Sequence, residues 1–234
     1  MEINSYIWVP FTAVTLFSFI FIYLHKKGRT YSAKIFKISI LLGLGAAMFD
    51  TFQKLILDTW YADYALLFGR ITFSFWMAFA PTIYHFTFEF PVIQKVPLKW
   101  IAIIYVISLS FISVLYTPLG IPSVSLQKHG YVSEPGPLGR LLIMEAGVLL
   151  FFVIINMLIQ YKKCATKIEK DQIKLFTAGG ALWIVLWMAA NLIIRLPVPA
   201  ISFSFPFLGV VTYSLTKYRF YEFKDVREST AKFE

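Results

Sequence analysis

Long apolar runs separated by short polar segments dominate the pattern of this chain. Seven runs approach or reach the roughly 20 mostly apolar residues that a transmembrane helix needs. They lie at residues 7–24, 38–57, 65–88, 100–116, 141–161, 175–194 and 201–215. The second run is the weakest, because Asp50, Gln53 and Lys54 interrupt it. The pattern predicts an all-α polytopic membrane protein, built as a seven-helix transmembrane bundle.

The positive charges predict an orientation for this bundle. Loops that stay in the cytoplasm carry an excess of Lys and Arg. If the N-terminus is outside, the residues on or near the outer side among the 22 Lys and Arg are Lys54, Arg70, Lys128, Arg140 and Arg195. The other 17 fall in the three inner loops and the C-terminal tail. The bias predicts a multi-pass protein of the plasma membrane with an outer N-terminus and a cytoplasmic C-terminus.

Composition excludes a soluble globule and narrows the meaning of the net charge. The chain is 58% apolar and 15% charged, whereas soluble domains have roughly 45–50% and about 25%. The net charge of +9 is explained by the Lys and Arg residues that fix the orientation of the chain in the membrane. The same residues can also contact anionic lipid head groups. We therefore expect the lipid bilayer as a partner and no nucleic acid.

One loop is long enough to form structure of its own. Residues 117–140 contain four Gly and four Pro, which are strong turn signals. Within this loop, residues 123–132 alternate loosely between apolar and polar types, as strands do. We expect a short extracellular loop or hairpin between the fourth and fifth helices.

Several short motifs follow one another in a recognisable order. The third span ends in FTFEFP at residues 86–91, and the long loop contains GYV at 130–132 and GPL at 136–138. KDQIK at residues 170–174 precedes the sixth span, and YSLTKYRFYEFKD at 213–225 follows the seventh. In this order and spacing the chain resembles the seven-helix N-terminal sensor region of bacterial membrane histidine kinases, over about residues 7–226.

The resemblance implies a membrane sensory module over residues 1–226, with residues 227–234 as a cytoplasmic tail or the start of a linker. It implies that a signal leaves through the seventh helix to a cytoplasmic kinase-type effector, and that two copies form a homodimer. The family continues into a signalling module, but no Gly-rich ATP-binding segment and no phosphoacceptor His region follows here. Kinase activity is therefore not implied for this chain, which is either an input module separated from its effector or a stand-alone receptor.

Polar groups at membrane depth are costly and are functional candidates by default. One set falls near the outer surface and consists of Asp50, Gln53, Lys54, Arg70, Glu145, Trp187, Asn191 and Arg195. Four-residue steps put Asp50 with Lys54, and Asn191 with Arg195, on shared helix faces. This set predicts an outward-opening pocket for a small-molecule or lipid-like ligand. The alternative is that these groups reach the interface or pair with one another to fix helix packing.

A second set falls near the inner surface. His85 and Glu89 are one helical turn apart, and with Arg219 they are candidates for coupling to the effector. As alternatives, the pair holds the cytoplasmic ends of the helices together, acts as a pH-sensitive switch or provides two metal ligands, although the sequence offers no third ligand at a convincing spacing. We expect no metal, cofactor or catalytic residue, and we expect Asn156 to make a hydrogen bond between helices.

Three other classes of membrane protein are alternatives to the sensor. A retinal-binding pump needs a Lys inside its last helix, and residues 201–215 contain none. An intramembrane aspartyl protease needs two carboxylates where the second span supplies Asp50 alone, and the Gly-x-Ser-Gly of a rhomboid-like enzyme is absent. A small transporter should show a repeat between its first and last three spans; none is evident, but the transporter remains the alternative.

Overall fold

A computed structural model describes residues 8–27, 31–56, 61–91, 98–127 and 130–189, together with Phe207 and Val211. These residues form six helices and two strands. In chain order they are α1 (Trp8–Lys27), α2 (Tyr31–Leu55), α3 (Ala62–Glu89), α4 (Leu98–Leu115), β1 (Ser123–Gln127), β2 (Gly130–Glu134), α5 (Pro137–Lys163) and α6 (Lys167–Met188).

The first five helices are long and apolar enough to cross a membrane, and each overlaps one of the first five predicted spans. The fold is therefore that of a mostly helical, membrane-embedded protein. Helix α6 overlaps the sixth predicted span but begins eight residues before it, with the charged segment that starts at Lys167. The seventh predicted span lies outside the described residues except for Phe207 and Val211. The count of seven helices and the orientation remain predictions.

Helix α3 is the centre of the described bundle. It packs against α2, α4 and α5 and also contacts both strands, whereas α1 packs on α2 and α6 packs on α5. The core beside α3 is strongly aromatic: Phe36 and Phe86 pack with ring centroids 4.9 Å apart and their planes tilted by 33°, and Phe79 meets Trp183 of α6 edge-on. Large rings let one central helix contact several neighbours, because each buries much apolar area.

Helix α4 shows the opposite pattern, with apolar side chains facing outward. Trp100, Val106 and Leu109 are each more than half exposed. In water such a surface would favour aggregation, but in a bilayer lipid chains cover it. The exposed face of α4 is therefore consistent with a membrane-spanning helix.

The strands form the hairpin that the alternating pattern predicts. They pair in antiparallel register, from Ser123 opposite Glu134 to Gln127 opposite Gly130. Gly130 begins β2 with φ of +95°, a conformation that a residue without a side chain adopts readily. At the base of the hairpin, the Gly136 amide donates to Gly120 O at 2.7 Å. The hairpin covers the end of the bundle where α2 ends and α3 begins, which we call the hairpin end; the other is the opposite end.

Candidate functional site

Lys54 is a buried cation at the C-terminal end of α2. Only 5% of the residue is exposed, and Nζ donates a 2.6 Å hydrogen bond to the backbone carbonyl of Tyr131 in β2. Asp50, one turn earlier and 1% exposed, interacts with Lys54 electrostatically. A long side chain at the end of a helix can reach beyond that helix, and here it joins α2 to the hairpin.

Gln53 makes a second connection on the same side of the hairpin. Its Nε2 donates to Ala65 O in α3 at 3.1 Å and to Ser133 Oγ in β2 at 3.0 Å. The hairpin can approach this closely because residue 69 is glycine. A Cβ at Gly69 would lie 2.0 Å from Ser133 Oγ and 2.7 Å from Gln53 Nε2.

Arg70 holds the segment that leads into the hairpin. Its Nε and one terminal nitrogen donate to Ile121 O at 3.2 and 2.8 Å. Ile121 is fully buried, so the guanidinium satisfies a carbonyl that water cannot reach. Such forked donation by Arg fixes the orientation of its acceptor as well as its distance.

These contacts define a polar seam made of Asp50, Gln53, Lys54 and Arg70. The structure brings together these members of the predicted outer set, and the last three donate hydrogen bonds to the hairpin or to the segment before it. For Gln53, Lys54 and Arg70 the geometry favours the packing alternative over free anchors in an open pocket. Ligand binding by the outer set stays a prediction.

Glu145 lies in a different contact, between α4 and α5. Ser108 Oγ donates to its Oε1 at 2.7 Å, and its Oε2 is buried with no hydrogen-bond partner in the described part of the chain. Among the residues described, no hydrogen bond or ion pair joins it to the polar seam. The Trp187 side chain, Asn191 and Arg195 lie outside the description, so the second half of the predicted outer set is not placed.

At the opposite end, His85 sits among tyrosines. Its Nδ1 is 3.4 Å from Tyr105 OH in α4, and its ring meets Tyr31 of α2 edge-on with centroids 6.2 Å apart. Glu89 is buried at the end of α3, and Arg219 lies outside the described residues. Within the described ranges, no three His, Cys, Asp or Glu side chains are grouped as metal ligands. Coupling through His85 and Glu89 stays a prediction.

A buried polar contact near this end joins α3 to α5. Asn156 Nδ2 donates to Thr87 Oγ1 at 2.8 Å, and Gln160 Nε2 donates to Thr87 O. The predicted interhelical hydrogen bond of Asn156 is therefore confirmed. Gln160 was not among the predicted residues, although its four-residue spacing from Asn156 puts both amides on one face of α5. The partner, Thr87, could be named only from the packed structure.

No protein-family model matches this sequence, and no curated protein matches it. The resemblance to the sensor region of membrane histidine kinases therefore stays a prediction, carried by the order of short motifs.

Proposed function

We propose that this chain is a membrane sensory module that receives an extracellular or membrane-borne signal at its hairpin end. The signal passes along α2 and α3 to the opposite end, and from there through the predicted seventh helix to a cytoplasmic kinase-type effector. The proposed activity of the chain itself is reception of a signal, and phosphoryl transfer belongs to the effector.

The observation that carries this proposal is the attachment of the hairpin to α2 and α3 by directed hydrogen bonds. Lys54 and Gln53 hold β2, and Arg70 holds the segment before β1. Hydrogen bonds weaken steeply with distance and angle, so a ligand or force that moves the hairpin must either carry the two helices with it or break these bonds. Both outcomes change the bundle.

The second support is that α3 connects the polar seam to the polar contact at the opposite end. Arg70 and Thr87 are 17 residues apart on one continuous helix, which corresponds to about 26 Å of rise. A displacement at the seam therefore reaches α5 through Thr87, Asn156 and Gln160. A signal can bias such a module only if it binds one of two helix arrangements better than the other.

The placement of this module in the cell follows from charge and from the resemblance. The bias of Lys and Arg favours a plasma-membrane protein whose opposite end and C-terminus are cytoplasmic. A homodimer is proposed on the resemblance alone, since outputs of this type use two subunits side by side.

The test is a chimaera in which the catalytic core of a histidine kinase is joined after Glu234. Autophosphorylation is measured in membrane vesicles for the original sequence, for Lys54→Met and for Lys163→Met. Lys163 is an exposed Lys in the last turn of α5, so its variant removes the same charge without touching the hairpin. We expect Lys54→Met to change the output several-fold in either direction and Lys163→Met to leave it unchanged.

A second variant, Gln53→Leu, breaks the neighbouring connection and should move the output in the same direction as Lys54→Met. If both chimaeras insert at normal levels and phosphorylate at the original rate, the sensory proposal is wrong. The small transporter would then be the function to test.

A further inference from the structure

An apolar cleft lies between α3, α5 and α6, away from the polar seam. Its empty volume is about 420 Å³, which includes the open space at its mouth. The walls are aliphatic and aromatic, with one hydroxyl. The lining includes Leu150, Met157, Phe176, Thr177, Gly180 and Trp183.

The cleft is elongated along the helices. Its α5 wall runs from Leu150 to Met157 and its α6 wall from Phe176 to Ile184, which correspond to about 10 and 12 Å of helical rise. Leu150 is the middle residue of the 27-residue α5, so one end of the cleft lies near the centre of the bilayer. The shape fits a linear chain parallel to the helices better than a compact ligand.

The hydroxyl group of the lining belongs to Thr177 and lies at the end of the cleft away from the centre of the bilayer. Thr177 Oγ1 is shielded from solvent and has no hydrogen-bond partner within the described residues. It follows Lys174, an exposed residue of α6 whose side chain is 62% accessible, by less than one turn. An exposed Lys marks the level of the lipid head groups, so Thr177 lies about where carboxyl and ester oxygens of lipids are found.

The lining also leaves room beside Gly180. A Cβ added there would meet, among described atoms, Phe207 Cδ2 at 4.0 Å. An apolar cavity of this kind is unfavourable for water, which needs two to four polar partners. The molecules that are both apolar enough and abundant enough in a membrane are acyl chains.

We propose that this cleft binds a single fatty acyl chain, with its carbonyl oxygen accepting a hydrogen bond from Thr177 and its tail running toward Leu150 and Trp183. Lys174 lies at the level of the head group and attracts a carboxylate or phosphate there. The proposal does not rest on the sensory function, because binding is measured without any effector. A free fatty acid and a phospholipid offer the same acyl chemistry, and the experiment separates them.

The probe is palmitic acid with a photoreactive diazirine in mid-chain, used as the free acid in dodecyl maltoside micelles and esterified in phosphatidylglycerol vesicles. After irradiation and trypsin digestion, mass spectrometry measures labelling of peptides 141–162 and 175–195, which contain the α5 and α6 walls. Peptide 100–128 contains α4, whose exposed apolar face reports general contact with lipid. We expect labelling of the two wall peptides to saturate and to fall at least fivefold with excess unlabelled chain, whereas α4 labelling stays proportional to probe.

Gly180→Leu fills the cleft and should reduce labelling of the wall peptides at least fivefold. Gly147→Leu is the matched control, because Gly147 is exposed on α5, the other helix that walls the cleft, and a Cβ there meets nothing within 4 Å. Thr177→Val keeps the shape but removes the hydroxyl, and should weaken binding about 2- to 10-fold, as expected for one hydrogen bond.

If Gly180→Leu lowers helicity by circular dichroism, Thr177→Val alone decides. If labelling saturates with the free acid but not with the ester, the ligand is a diffusible fatty acid. If it saturates with the ester but not with the free acid, the ligand is a bilayer lipid. Labelling of peptide 175–195 that never saturates in either arm, or that both variants leave unchanged, overturns the proposal.

Discussion

Replacing Lys54 by Met should loosen the attachment of the hairpin to α2 while leaving the bundle assembled. Met keeps an apolar side chain of similar length, so the packing of the stem is largely retained. The variant loses the 2.6 Å hydrogen bond from Nζ to Tyr131 O and the electrostatic interaction with buried Asp50. Lys54 is almost fully buried, so water cannot replace either interaction.

The size of the effect follows from the kind of bond that is lost. A hydrogen bond to a charged group contributes about 1.5–3 kcal/mol, and each 1.4 kcal/mol is a factor of about ten in an equilibrium constant. The population with an open hairpin should therefore rise roughly 10- to 150-fold. The loss of the cation beside Asp50 adds to this, because a buried charge without its partner is costly.

Hydrogen exchange of the amides in β1 and β2, followed by mass spectrometry in detergent, measures this opening directly. We expect faster exchange across residues 123–134 in Lys54→Met, with the amides of α1 unchanged. Lys163→Met should exchange like the original protein. If Asp50→Asn combined with Lys54→Met restores part of the protection, Asp50 contributes through its charge. Exchange of the hairpin at the original rate in Lys54→Met would refute the role assigned to the polar seam.

Two further changes test the close approach at the hairpin end and the environment of the cysteine. Gly69→Ala should destabilise the protein by about 1–3 kcal/mol, the cost of a buried polar group left unsatisfied, since its methyl group would displace Ser133. Gly147→Ala, in open space, should be neutral or stabilising by up to about 1 kcal/mol, and equal unfolding midpoints in detergent–SDS titrations would contradict this contrast. Burial, the largest cause, and Glu169 together raise the pKa of the Cys164 thiol, so its alkylation should lag behind that of a free thiol at pH 8 and increase at higher pH; matching rates at pH 8 would refute this.

The positions of the first five helices could be predicted because the signal is local. About 20 apolar residues in a row have no stable alternative to a helix in lipid, where every backbone group must be satisfied within the segment. The hairpin could also be predicted, since the alternation of apolar and polar residues and the turn residues are signals between neighbouring positions. Helix boundaries were less accurate: α2 begins at Tyr31 and α6 at Lys167, because charged residues at the ends of helices can stay helical while lying at the interface.

The roles of the polar residues depended on contacts between segments distant in sequence. The sequence marks four polar residues as costly groups at membrane depth: Asp50, Gln53, Lys54 and Arg70. It does not show which groups they contact. Lys54 and Tyr131 are 77 positions apart, and their pairing depends on how the hairpin lies across α2 and α3. Glu145 shows the same limit. The sequence groups it with the other polar residues near the outer surface, but in the structure its carboxylate accepts a hydrogen bond from Ser108 of α4.

The sequence by itself determined that the surroundings of this protein are lipid and which segments lie in the bilayer, because the length of an apolar run and the bias of charge are properties of the chain taken residue by residue. Only the tertiary structure decided that three polar side chains hold the hairpin and the segment before it, that Gln160 joins Asn156 at Thr87, and that an apolar cleft remains beside Gly180. Hydrogen-bond geometry and empty volume are properties of several segments packed together, and no single segment encodes them.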